Sequence, residues 1–298
     1  MDLEKQAIEI LRAFEGDEPY QLGYSGGKDS DVIFHLAKKS GVKFQAVHNH
    51  TTVDAPETVR YITSRQGVTI EYPPMSMWQL IVKHKTPPTR RMRYCCEELK
   101  ERSGMGKKVI TGVRKSESRS RRENQGIVTL TRPGREARKL ADEELFVSTQ
   151  KGGIIAMNYD NSEVHRMVES CYRASKTLVN PILEWDDEYL WWYIRRERIE
   201  LNPLYGEGFY RIGCIGCPMA GKNRWREFSR YPQYKDAYIR AFAKMLAYRE
   251  TCGNKDVIGW KTPEGVFDWW MEDQSMEGQV SMVIEGNVIT GFREKGGV

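Results

Sequence analysis

The chain has 298 residues, 40% hydrophobic and 29% charged, with 46 basic against 41 acidic side chains, a net charge of +5 and a pI near 8.7. That length buries a substantial core in one large or two small domains. Leu, Ile, Val and aromatic residues are too plentiful for a disordered chain. No run of about 18 apolar residues occurs, which excludes a transmembrane helix. The mild positive balance is compatible with an anionic ligand and does not demand nucleic acid. Six cysteines without an export signal point to metal or redox chemistry more than to disulfides. The adjacent Cys95 and Cys96 do not bridge each other without strain. These features predict a soluble, cytoplasmic protein.

In chain order, Met1 to Gly16 reads as an amphipathic helix, without the basic n-region or apolar core of a signal peptide. Tyr20 to Tyr24 is a short strand running into Ser25-Gly26-Gly27-Lys28-Asp29-Ser30. Val32, Ile33, Leu36 and Ala37 then recur at helical spacing. Val42 to His50 is a second strand, and Asp54 and Pro56 open a helix to about Arg65. Val68 to Tyr72 and Lys108 to Thr111 are further strands. Alternating strands and helices predict a doubly wound, mostly parallel, Rossmann-like sheet covered on both faces. Residues 1–205 are expected to form this α/β domain, and 206–298 a smaller helical region.

Arg114 to Lys139 breaks the pattern with nine basic and three acidic residues. It reads either as a solvated mobile loop or as a clamp for an anionic substrate, because it leaves a strand end where open α/β sheets bind ligands. Within it, the Arg114 guanidinium suits phosphate or sulfate. A Trp- and Arg-rich helix is predicted from Trp185 to Ile199, a loop over Pro203 to Pro218, and one or two helices over Arg224 to Glu250. Trp185, Trp191, Trp192, Trp269 and Trp270 read most simply as core anchors.

The sharpest chemical signal is Ser25 to Ser30. Two glycines allow a tight turn whose N–H groups face an anion, and the helix opening at Asp29 adds its positive end. Lys28 supplies a point charge, and Ser25 and Ser30 supply hydroxyls. Cys214-x-x-Cys217 lies far downstream of Cys95-Cys96, so the pairs meet only through the fold. Four thiolates form a soft site suited to iron–sulfur or zinc, and spacing does not separate the two.

Ser25 to Ser30 resembles the pyrophosphate-binding PP-loop of the adenine nucleotide alpha hydrolases. The chain as a whole resembles the phosphoadenosine phosphosulfate (PAPS) reductase family, which includes sulfurtransferases of DNA phosphorothioation. His50 to Thr58, ending in Pro56-Glu57-Thr58, is similar to the family's DTG…PET segment. Arg93-Tyr94-Cys95-Cys96 with Lys100 resembles its R-W-C-C…K motif. Thr111-Gly112-Val113-Arg114 with Glu117, Ser118 and Arg122 resembles its TGxR…ES…R motif. Asn180 to Trp185, Asn202 to Tyr205 and Ile212 to Cys214 match its C-terminal signature.

The resemblance implies that Ser25, Gly26, Gly27, Lys28, Asp29, Ser30, His48, Asp54, Thr111, Gly112 and Arg114 bind an adenine nucleotide, with Lys28, Ser30 and Arg114 catalytic. Where relatives open the DTG segment with Asp, this chain has Asn49-His50-Thr51, and Asp54 stands as the replacement. Family members that reduce adenosine phosphosulfate (APS) carry a 4Fe–4S cluster, which implies one on Cys95, Cys96, Cys214 and Cys217. Three activities remain. One is an ATP pyrophosphatase acting with Mg²⁺ in sulfur transfer, with a nucleic-acid acceptor and a sulfur-donor protein such as a cysteine desulfurase as partners. Another is a reductase of APS or PAPS. The third is a nucleotide or cluster sensor without turnover. Relatives that reduce sulfonucleotides place a nucleophilic cysteine in an ECGLH motif near the terminus. Here the last cysteine is Cys252, in Thr251-Cys252-Gly253, which favours the pyrophosphatase.

Overall fold

The computed structural model describes residues 2–101, 103–131, 146–174, 176–253, 260–272, 280–285 and 288–294. They form two compact units. The first comprises residues 1–50, 54–73 and 99–213, and the second 51–53, 74–98 and 214–298. The sequence reading drew one cut after residue 205. The structure instead assigns 74–98, with Cys95 and Cys96, to the unit that holds Cys214 and Cys217.

The first unit is a mostly parallel eight-stranded sheet with helices on both faces, a Rossmann-like architecture. Its strands are β1 Tyr20–Gly23, β2 Phe44–Asn49, β3 Val68–Glu71, β4 Lys108–Ile110, β5 Val128–Thr131, β6 Val147–Ser148, β7 Ile154–Ala156 and β8 Lys176–Val179. Their spatial order is β3-β2-β1-β4-β8-β5-β7-β6. The chain leaves β1 for β2 on one side and later returns to β4 on the other, so the β1–β4 boundary is the crevice where such sheets take ligands. β3, β2, β1, β4 and β8 pair in parallel, and β5, β7 and β6 are antiparallel.

The antiparallel edge was not expected from the sequence, nor was regular structure inside the basic segment. Arg119–Asn124 is a helix capped by Ser118, and β5 lies against β8. A five-residue turn, in which the Thr149 N–H donates to the Gly153 carbonyl at 2.8 Å, joins β6 to β7. Antiparallel strands need only such a short connection, whereas parallel ones need a crossover. Arg132, Arg135, Arg138 and Lys139 lie outside the described residues.

Helices form where capping and an apolar stripe coincide. Leu3–Ala13 (α1) has Asp2 as its cap and buries Ala7, Ile10 and Leu11. Lys28–Ser40 (α2) follows β1 and buries Val32, Ile33, Leu36 and Ala37, the positions read from the sequence. Pro56–Ser64 (α3) starts on its proline, and Asp187–Arg196 (α4) is capped by Asp186. Trp185, the largest fully buried side chain, packs edge-on against Tyr189 and Tyr193.

The second unit contains Met77–His84, Asn223–Arg230, Pro232–Thr251 and Pro263–Met271 as helices, with a hairpin of Val280–Glu285 and Val288–Glu294. Its core is aromatic: Tyr238 and Trp270 lie 4.6 Å apart between ring centroids, with Phe228, Phe242 and Phe267 around them. Trp192 is exposed, unlike Trp185 and Trp270. No helix among the described residues is long and apolar enough to cross a membrane.

Candidate functional site

The glycine turn sits between the carboxyl end of β1 and the start of α2. Gly26 has φ +71°, and a Cβ there would come within 2.9 Å of Ile62, so both backbone conformation and space call for glycine. Ser30 braces the turn: its hydroxyl accepts from the Gly27 N–H at 3.1 Å and donates to the Gly27 carbonyl at 2.7 Å. Ser25 Oγ lies 3.2 Å from Ser30 Oγ. Ser30 is thus a structural brace of the loop, while the backbone N–H groups at the head of α2 form its anion-facing surface.

Two residues far along the chain hold the turn from outside, and their roles were not foreseen. The Lys28 N–H donates to the Tyr205 hydroxyl at 2.9 Å. Asn202, fully buried, donates to the Gly26 carbonyl at 3.3 Å and to Thr58 Oγ1 at 3.0 Å. The Asn202-Pro203-Leu204-Tyr205 stretch, noticed only as a motif, is therefore the clamp on the loop. Burial pushes the Tyr205 hydroxyl above its ordinary range, so it stays protonated.

Lys28 Nζ lies 3.1 Å from Asp29 Oδ2. Arg114, 1% exposed, donates from Nε to Asp29 Oδ1 at 2.7 Å and from Nη2 to Asp187 at 2.8 Å. Its Nη1 reaches Ser116 Oγ at 2.9 Å. Burial works against its charge, but the two carboxylates outweigh that and hold its pKa above the ordinary value. The guanidinium expected to bind phosphate is thus held by two carboxylates inside the unit and fixes the position of Asp29. Gly112 lets β4 approach α2, since a Cβ there would lie 3.0 Å from the Asp29 backbone. Thr111 donates its hydroxyl to the buried Asn180.

His48, His50 and Asp54 come together at the carboxyl end of β2. His50 Nδ1 lies 3.3 Å and His48 Nε2 3.7 Å from Asp54 Oδ2. Their mutual contact was missed, although the His-x-His-x-x-x-Asp spacing at a strand end could have revealed it.

In the second unit the four motif cysteines share one electrostatic neighbourhood. A hydrogen bond with Cys96 and burial push the Cys95 thiol up, and Cys96, Cys214 and Cys217 add to the rise. The Cys214-x-x-Cys217 turn is closed by the Cys217 N–H on the Cys214 carbonyl at 3.2 Å. Ile215 N–H donates to Val53 at 2.8 Å, and Tyr238 Oη to the Ile215 carbonyl at 3.0 Å. Arg93 Nη2 lies 3.3 Å from Cys96 Sγ, and Thr51 Oγ1 3.5 Å from Cys214 Sγ. Cys171 is buried in the first unit, and Cys252 is exposed in the second.

A doubly wound sheet whose first strand ends in this braced glycine turn defines an α/β domain of the PP-loop type. Residues 19–220 match the phosphoadenosine phosphosulfate reductase domain, and the chain belongs to that family. It is 26% identical over 253 residues to an uncharacterized protein of Methanocaldococcus jannaschii, covering 82% of this chain and 46% of that one. It is 27% identical over 225 residues to sulfate adenylyltransferase subunit 2 of Psychromonas ingrahamii, covering 68% and 66%. The solved phosphoadenylyl-sulfate reductase from Candida auris aligns at a TM-score of 0.42 and 17% identity, covering 71% of this chain and 92% of that one. The chain spans about half the length of the archaeal relative. Family members act as enzymes on adenylyl nucleotides.

Proposed function

We propose that the chain binds ATP at the glycine turn and cleaves it at the α-phosphate in a sulfur-transfer reaction. The observation that carries this reading is the braced turn itself at the N-terminal end of α2, with Lys28 inside it and the Asp29 charge compensated by Lys28 and Arg114. The likeness to a sulfate adenylyltransferase subunit supports adenylyl transfer. An acceptor oxygen attacks the α-phosphorus, the bond to the β-phosphate oxygen breaks, and pyrophosphate leaves with the electron pair. Lys28 stabilises the charge that grows on the leaving phosphates, a contribution that usually dominates phosphoryl and nucleotidyl transfer. Arg114 keeps Asp29, and with it Lys28, in register. Mg²⁺ enters with the phosphates, because Asp29 is already committed to two cations and offers no dedicated cage. A nucleic-acid acceptor and a sulfur-donor protein such as a cysteine desulfurase complete the reading.

The donor set of the second unit suits an iron–sulfur cluster. Cys96, Cys214 and Cys217 all act electrostatically on Cys95, the Arg93 guanidinium donates to Cys96 Sγ and the Cys214 thiol donates to Thr51 Oγ1, polar surroundings of the kind that tune such centres. A 4Fe–4S cluster held by them would supply electron transfer or sulfur binding. The reductase reading has one observation in its favour, the exposed thiol of Cys252, since a nucleophilic thiol must reach its target.

The test is pyrophosphate release from ATP, with and without candidate acceptors, alongside sulfite release from APS and PAPS with thioredoxin. Pyrophosphate without sulfite is expected. Lys28→Ala is expected to weaken ATP binding by about 1–3 kcal/mol, the scale of a lost charged hydrogen bond. Sulfite formation abolished by Cys252→Ser would establish the reductase instead.

A further inference from the structure

We infer that His48, His50 and Asp54 form a binding site for a first-row divalent transition-metal ion, separate from the cysteines. His48 is 5% and Asp54 6% exposed. The His48 ring is oriented by its own strand neighbourhood, with Nδ1 3.0 Å from the Tyr24 carbonyl. A carbonyl only accepts, so Nδ1 carries the proton, and in the neutral ring Nε2 presents its lone pair. That buried Nε2 has no hydrogen-bond partner among the described residues. It faces Asp54 Oδ2 at 3.7 Å, too far for a hydrogen bond. An unpartnered polar atom in such a place is destabilising, and a metal ion removes that cost.

The remaining geometry points the same way. All three donor atoms lie within 4.8 Å of one another. Two ligands bound tetrahedrally at about 2.0–2.1 Å stand about 3.3 Å apart. His50 Nδ1 and Asp54 Oδ2 are already 3.3 Å apart, and His48 Nε2 stands 3.7 Å from the same carboxylate oxygen. A histidine ligand whose other ring nitrogen donates to a backbone carbonyl is the usual orienting arrangement at metal sites. Two imidazoles and one carboxylate suit zinc, iron, cobalt or nickel, whereas magnesium and calcium take oxygen ligands. Three protein ligands leave a coordination position open, as in catalytic more than structural zinc sites. The position lies at the carboxyl end of β2, next to β1, on the ligand-binding edge of the sheet.

The test uses the full chain without nucleotide, carrying Cys214→Ser and Cys217→Ser to weaken the thiolate site, titrated with Co²⁺. The expected result is one equivalent whose visible d–d bands appear without a thiolate-to-cobalt charge-transfer band. His50→Ala, at a half-buried position, should lower that affinity by more than about 100-fold, beyond the roughly 10–100-fold of losing an outer-shell partner. His48→Gln should do the same. Circular dichroism and melting in chelator identify any variant that fails to fold, and His50→Ala then carries the test. Absence of the thiolate-free equivalent would overturn the site. Retention of that equivalent in a folded His50→Ala would overturn it too.

Discussion

The two units hold their functional groups by different means. In the first, the glycine turn is fixed by polar partners distant in sequence: Asn202 on the Gly26 carbonyl, Tyr205 on the Lys28 N–H, and Arg114 on Asp29. In the second, the Cys214–Cys217 turn rests on an aromatic core whose Tyr238 reaches the Ile215 carbonyl. A loop that must present bare N–H groups to an anion needs every other polar atom satisfied by the protein. Thiols need less hydrogen bonding, and an apolar, half-buried setting restricts water around them.

The largest effect that would break this comparison is all-or-none. Anaerobically purified wild type should be brown with about four irons per chain. Cys214→Ser should lose the colour while keeping ATP affinity within about twofold, and Cys171→Ala should retain it. Stoichiometric zinc without visible absorbance in the wild type would refute the cluster.

Asp31 tests how tightly the first unit is sealed. Burial raises its carboxyl to about 7 despite the Tyr24 and Tyr61 hydroxyls and Arg65, which pull it down. The folded state therefore binds a proton that the unfolded chain releases between about pH 4 and 7. Stability falls as pH rises through that window and levels off above it. Relative to Asp31→Asn, the wild type should lose roughly 1.4 kcal/mol per pH unit, about 4 kcal/mol in all. Parallel urea-unfolding curves from pH 4 to 8 would measure this, and a constant difference would show an exposed carboxylate.

Arg114→Ala should cost about 3 kcal/mol, at the lower end for a broken buried ion pair because Asp187 is exposed. Thermal melts with and without ATP would separate that loss from a change in binding. If ATP affinity collapses while stability holds, Arg114 contacts phosphate directly. The smallest effect is expected from Tyr205→Phe, about 1 kcal/mol, for one neutral hydrogen bond at the turn, read as a loss of melting stability.

The sequence alone determined the parts whose physics is local. A strand, a glycine turn and a helix with its apolar stripe are contiguous, so the structure of Tyr20 to Ala37 was legible. The opening helix, Pro56 as a helix start and the four early strands were legible on the same grounds, and the cysteine pairs were recognisable by residue type and spacing. Only the tertiary structure decided what pairs across long separations. β5 to β8 carry weak local signals and exist because they pair with one another and with β4. Arg114 is legible as a basic residue after a strand, but its pairing with Asp29 and Asp187 is decided by the fold. Tyr205 and Asn202 acquire their roles only when the fold returns them to a loop more than 170 residues earlier. His48, His50 and Asp54 are near neighbours in sequence, yet their meeting depends on the turn after β2, where Thr52 adopts φ +65°. Side-chain hydrogen bonds and ion pairs are set by angstrom-scale placement, which residue order does not encode until the backbone has closed.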